Sequence, residues 1–224
     1  MSLIIQENYQ QHSTYAVWKI EEDDSFYLSK LILSESEKKF LKTIHHPKQK
    51  TRWFASRFLL KYLMKTNSYV ELLIDLHGKP FLANYDLNLS ISHSDNYAAV
   101  IISKSHEVGI DIEHASRNIE ILKNKFLSNE ELQELEKSSE MQASLLIYWA
   151  AKEVMYKIYG KRKLEFKDHL YIKPFVLNLS GQLNGELSKN DLFQMFEMEY
   201  KRVNDFILVI GNGEAFQRPA LNSV

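Results

Sequence analysis

Six residues constrain this chain more than any others: Val108-Gly109-Ile110-Asp111-Ile112-Glu113. Apolar and acidic residues alternate, the period-two signature of a half-buried strand. With Ile110 and Ile112 turned to a core, Asp111 and Glu113 project together from the opposite face. Gly109 removes a side chain where a ligand or another backbone can come close. Two neighbouring carboxylates repel unless a cation lies between them, so the pair points to a hard divalent metal with oxygen ligands. The plain alternative is an amphipathic strand whose wet face is acidic, and the hexapeptide alone does not separate the two.

The chain around it, 224 residues, is long enough for one domain or for two compact halves of about 100 residues each. Lys and Arg total 28 against 29 Asp and Glu. Such balance leaves no global field to draw in nucleic acid, so any anion site must come from a local cluster of bases. There is no cysteine, which excludes disulfides, thiolate metal sites and a cysteine nucleophile, and fits a cytoplasmic protein. No 18 apolar residues run together, so no membrane span is expected. Met1 to Gln11 holds only the short apolar run Leu3–Ile5 with no basic region before it, unlike a signal peptide. The polar stretch Gln217–Val224 is expected to fray.

Thr14–Ile20 reads as a first strand. Ser34 and Glu37 form a capping box that opens a helix carrying Phe40, Leu41 and Ile44, which stops near Pro47. A second helix is expected over Lys48–Met64, with Trp53, Phe54, Phe58, Leu59 and Leu63 on its apolar side and Arg52, Arg57 and Lys61 on a basic, solvated side. Val70–His77 is a strand candidate before the turn Gly78-Lys79-Pro80. Leu87–Ser92 and Tyr97–Ile102 alternate as strands, with His93–Asn96 as the loop between them. Helices follow over Ile119–Phe126, from the capping box Ser128–Glu131 to about Lys137, and over Met141–Tyr159 with Gly160 as C-cap. Asn184-Gly185 reads as a hairpin turn and Phe206–Ile210 as a closing strand. Both halves share a helices-then-strands order, which predicts two similar α+β lobes, residues 1–105 and 106–224.

In the long helix Trp149, Glu153 and Lys157 are four apart and share a face. A surface Glu153–Lys157 pair worth about 0.3–0.5 kcal/mol accounts for two of them. A strand with two carboxylates and a helix with a third, followed by a lysine one turn on, equally suits magnesium, which takes one or two carboxylates and fills its other positions with water and phosphate.

Val108–Glu113 followed by Trp149-Ala-Ala-Lys-Glu-Val-Met-Tyr-Lys157 resembles the paired signature of the 4′-phosphopantetheinyl transferases. Gly78-Lys79-Pro80, Ser90-Ile91-Ser92-His93-Ser94 and Ala55-Ser56-Arg57 are similar to the coenzyme A contacts of that family's two-lobed monomeric kind. Departures are Ser56 where Gly is common, Ala150 where Ser, Thr or Cys is frequent, Val154 where Ala or Ser is usual, and Gly160-Lys161-Arg162 without a second Gly. The resemblance implies a pseudo-dimeric α+β fold, and transfer of phosphopantetheine from coenzyme A to a serine of an apo acyl or peptidyl carrier protein. It implies magnesium on Asp111, Glu113 and Glu153, with Glu153 and Lys157 catalytic. Coenzyme A is expected on Arg57, Lys79, Ser90, Ser92, His93, Lys152 and Lys157, and the chain is expected to be a monomer. A magnesium-dependent phosphohydrolase and a non-catalytic coenzyme A or carrier-binding module are the rival readings.

Overall fold

The structure is a computed structural model, and it describes residues 2–203 and 205–213. The expected fraying of Gln217–Val224 lies outside the described residues. The chain opens with the hairpin β1 (Leu3–Tyr9) and β2 (Ser13–Lys19), then three helices, α1 (Asp24–Leu28), α2 (Glu35–Leu41) and α3 (Pro47–Met64). A two-stranded ribbon follows, β3 (Leu72–Ile74) and β4 (Pro80–Leu82), then β5 (Asn88–Ser94), β6 (Tyr97–Ser103) and β7 (Glu107–His114). After a 3-10 turn at Glu120–Leu122 come α4 (Lys123–Phe126), α5 (Asn129–Glu136), α6 (Met141–Tyr159) and α7 (Phe166–His169). Strands β8 (Leu170–Ile172), β9 (Ser180–Lys189), β10 (Leu192–Val203) and β11 (Phe206–Gly213) complete an α+β fold.

Two sheets are formed, β1-β2-β6-β5 and β7-β11-β10-β9-β8. The alternation of each strand decides what lies on its faces. On the first sheet, Ala16, Trp18, Leu89, Ala98 and Val100 pack with Phe54, Ala55, Leu59 and Leu63 of α3. Its other face, with Tyr15, Val17, Ala99 and Ile101, meets Val108, Ile110, Ile112, Phe206, Leu208 and Ile210 of the second sheet. The far face of that sheet, including Ile207 and Val209, packs on Val154, Met155 and Ile158 of α6. The order is therefore helix, sheet, sheet, helix, with β7 near the centre and buried along nearly its whole length.

Burial on both faces corrects the reading of β7 as half-buried. Ile110 and Ile112 do enter a core, but Asp111 and Glu113 are only 5% and 4% exposed. Gly109 is where α6 comes close: a β-carbon there would stand 2.6 Å from the Val154 carbonyl oxygen.

Both capping boxes form, at Ser34 with Glu37 and at Ser128 with Glu131. Gly160 caps α6 at φ 66°. Other local expectations yield to packing. The edge strand β1 and helix α1 were not expected, and the helix opened by Ser34, α2, ends at Leu41, well short of Pro47. Lys61 is buried rather than solvated, because its ammonium reaches the carbonyls of Lys30 and Asn67 at 3.3 Å each. His93 and Ser94 belong to β5, so the hairpin loop is only Asp95-Asn96, with Asp95 left-handed at φ 45°. Asn184-Gly185 is no turn but lies inside β9, opposite Glu197 and Phe196. Gly185 there leaves room for Met155, whose sulfur would stand 2.5 Å from a β-carbon. The turn itself comes after Lys189, where Asn190 takes φ 52°. Gly211 and Asn212 likewise lie within β11 and not in a turn.

Candidate active site

Close contact between β7 and α6 brings the acidic strand and the Trp149–Lys157 face together. Asp111 Oδ1 accepts hydrogen bonds from Lys157 Nζ and Ser92 Oγ, both at 2.8 Å. Lys157 also donates to the Ile110 carbonyl at 2.7 Å. It is turned to the strand, so the surface Glu153–Lys157 pair does not account for it. Glu113 Oε1 accepts from Trp149 Nε1 at 2.9 Å and from the Arg117 guanidinium, and Oε2 accepts from Ser94 Oγ at 3.3 Å. Arg117 in turn lies over the Trp149 ring, 5.6 Å from its centre.

Glu153 stands one turn before Lys157 and lines a cavity of about 250 Å³ with His77, Lys79, Ser90, Tyr156 and Lys157. Burial first, and then the charge of Asp111, push its carboxyl up to about 7, although Lys157 opposes them. Glu113 is raised for the same two reasons, with Arg117 opposing. A hard cation is the chemistry that relieves such crowding. The donor set suits one, since it offers oxygen only and Asp111 Oδ2 is buried without a hydrogen-bond partner. As arranged, Lys157 and Arg117 neutralise Asp111 and Glu113, and among the described residues no three His, Asp or Glu side chains form a ready metal cage.

A second cavity, about 430 Å³, shares Pro80 and Ile91 with the first and is walled by Phe40, Trp53, Arg57, Ile74 and His93. Arg57 lies 3.5 Å from the centre of the Trp53 ring and 3.5 Å from Glu37 Oε1. Burial brings its guanidinium down to about 10 despite Glu37. His93 lies open to this cavity but flanked by protein. That surrounding, and then the charges of Arg52 and Lys157, hold it below the usual imidazole range, so it is neutral at pH 7. Lys79 reaches across to the second sheet, donating to Glu107 Oε2 at 2.6 Å and to the Ile158 carbonyl at 3.2 Å.

Not every expected contact lies in this crevice. Lys152 is fully buried on another side of α6. Its ammonium donates to Glu131 Oε2 at 2.6 Å and to the carbonyls of Phe126, Leu170 and Phe166 at 2.7, 2.7 and 3.2 Å. With those acceptors filled it is a structural cation, and its reading as a coenzyme A contact is withdrawn. Ser92 is committed to Asp111 and to the Ile112 amide, at 3.3 Å. Sequence reasoning missed Arg117 and Tyr156, and it took Ser94 only as the end of a coenzyme A motif and not as a partner of Glu113. Arg117 follows the strand in a turn where no periodicity marks it, whereas Ser94 carries the visible signal of keeping step with Ser90 and Ser92 on β5.

An α+β fold with carboxylates on a central strand, a third carboxylate and a lysine on the helix against it, and a two-part crevice beside them defines a class. Residues 107–206, from the start of β7 to the start of β11, match the family model of the 4′-phosphopantetheinyl transferase superfamily. That match bears out the resemblance read from the motifs, over a segment that is less than half of the chain. The chain is also 26% identical over 142 residues to a Synechocystis sp. protein named "Putative 4′-phosphopantetheinyl transferase". The aligned stretch spans 58% of this chain and 58% of that relative.

Proposed function

We propose that the protein transfers the 4′-phosphopantetheine group of coenzyme A to a serine hydroxyl of an apo acyl or peptidyl carrier protein, leaving adenosine 3′,5′-bisphosphate. The observation that carries this reading is that Glu153 and Lys157, which line one end of the crevice, lie against Asp111 and Glu113 of β7, while Arg57 and His93 line the other end. In the reaction the serine oxygen bonds to the phosphorus on the pantetheine side, and that phosphorus loses its bond to the bridging oxygen of the pyrophosphate. Glu153 accepts the serine proton directly or through a water. Lys157 steadies charge on the phosphate, neutral His93 donates to the pyrophosphate, and Arg57 faces the 3′-phosphate. Lys79 and Ser90 line the nucleotide path. Asp111, Glu113 and Glu153 would hold magnesium, whose part is to neutralise pyrophosphate oxygens as the leaving group departs. On this reading the enzyme works in the cytoplasm as a monomer, and serves fatty-acid, polyketide or non-ribosomal peptide carriers.

Mass spectrometry of apo carriers incubated with enzyme, coenzyme A and magnesium is the direct test. A carrier heavier by one phosphopantetheine is the expected product. Release of free phosphopantetheine with no carrier present would instead identify a hydrolase, and no turnover with any of the three carrier types would leave only a binding module.

A further inference from the structure

Strands β5 and β7 lie side by side but belong to different sheets. Serine side chains join them. Ser90, Ser92 and Ser94 accept hydrogen bonds from the amides of Ile110, Ile112 and His114 at 3.2, 3.3 and 3.1 Å. A hydroxyl has one proton and two lone pairs. With a lone pair given to the amide, the proton of each serine is directed to something else. Ser92 donates it to Asp111 Oδ1 at 2.8 Å, and Ser94 donates it to Glu113 Oε2 at 3.3 Å. Ser90 makes the same amide contact, but the residue of β7 just before Ile110 is Gly109, which has no carboxylate.

We infer that Ser92 and Ser94 are positioning residues that lock the Asp111 and Glu113 carboxylates in one orientation each. For Asp111 the consequence is specific. Ser92 and Lys157 both occupy Oδ1, which leaves Oδ2, buried and without a partner, as the oxygen presented to a cation. Without the Ser92 donor, Lys157 alone holds the carboxylate and it can turn. Glu113 is less dependent on its serine, because Trp149 and Arg117 also hold it. Partners that orient a ligating carboxylate are typically worth 10–100-fold in metal affinity. The inference rests on the proposed metal role of these carboxylates.

The test is a Mn²⁺ titration followed by electron paramagnetic resonance, with coenzyme A saturating. It compares wild type with Asp111→Ala, Ser92→Ala and Ser94→Ala, and thermal unfolding of each variant is recorded alongside. Ser92→Ala is expected to weaken Mn²⁺ binding by roughly 10-fold and Ser94→Ala by less. A loss for Ser94→Ala as large as that for Ser92→Ala would show that the serines only join the strands, and wild-type binding by Ser92→Ala would likewise overturn the inference. If Asp111→Ala binds Mn²⁺ as wild type does, or wild type does not bind it, the metal reading itself has failed.

Discussion

At neutral pH the Glu153 carboxyl sits near the midpoint of its titration, which ties stability to pH at a single residue. Its ordinary value is 4.5 and its folded value about 7, so the folded state holds this proton more tightly than the unfolded state does. Stability from this group is therefore full below about pH 4.5, falls as pH rises toward about 7, and is flat above. The swing is on the order of 3 kcal/mol. Metal-free thermal unfolding from about pH 5 to pH 8 should show this decline in wild type, and a shallower one in Glu153→Gln. Identical slopes in the two proteins would mean that Glu153 is not the strained group. The residues Asp111, Glu113, Glu153 and Lys157 were legible in the sequence as candidates, and Lys157 of the helix does reach Asp111 of the strand. Their partners were not: nothing local says that Lys157 prefers Asp111 to Glu153, four residues away on its own helix.

Gly109 and Lys152 decide how α6 is seated, and each makes a prediction at the level of the element. Gly109→Ala puts a methyl group against the Val154 backbone oxygen, where no side-chain rotation gives relief. The helix must move away from β7, at a cost of about 1–3 kcal/mol, and Glu153 and Lys157 move with it. Lower thermal stability together with loss of carrier modification is expected, and wild-type transfer by this variant would show that the close approach is not needed. Lys152→Met leaves Glu131 buried without its cation, a loss of about 3–5 kcal/mol. Its melting temperature should fall, while the KM for coenzyme A, measured where the variant is still folded, stays at the wild-type value. A raised KM would return Lys152 to the coenzyme site. Element boundaries were readable where a cap fixes them, as at Ser34, Ser128 and Gly160. They were misread at Asn184-Gly185, where the glycine makes room for Met155 and does not turn the chain.

Across the whole molecule, the two sheets share a core in which Tyr15, Val17 and Ile101 meet Ile110, Ile112 and Leu208. Neither sheet can expose that face without uncovering the other. Unfolding should therefore be a single transition, with far-ultraviolet circular dichroism and tryptophan fluorescence giving coincident curves. Fluorescence samples both sides, because Trp18 and Trp53 pack in the α3 layer and Trp149 against the α6 core. A separate early transition in either signal would show that the halves are independent folding units.

The sequence by itself determined the α+β class and most helices and strands, and it singled out the acidic residues of the candidate site, because hydrophobic period, caps and charge are local properties. Only the tertiary structure decided that β7 is buried on both faces, that Lys61 and Lys152 are interior cations, and that the serines of β5 address the carboxylates of β7. Each of these depends on which strand and helix come to lie against which. That choice is made by the fit of whole apolar faces, and no single stretch of the chain contains it.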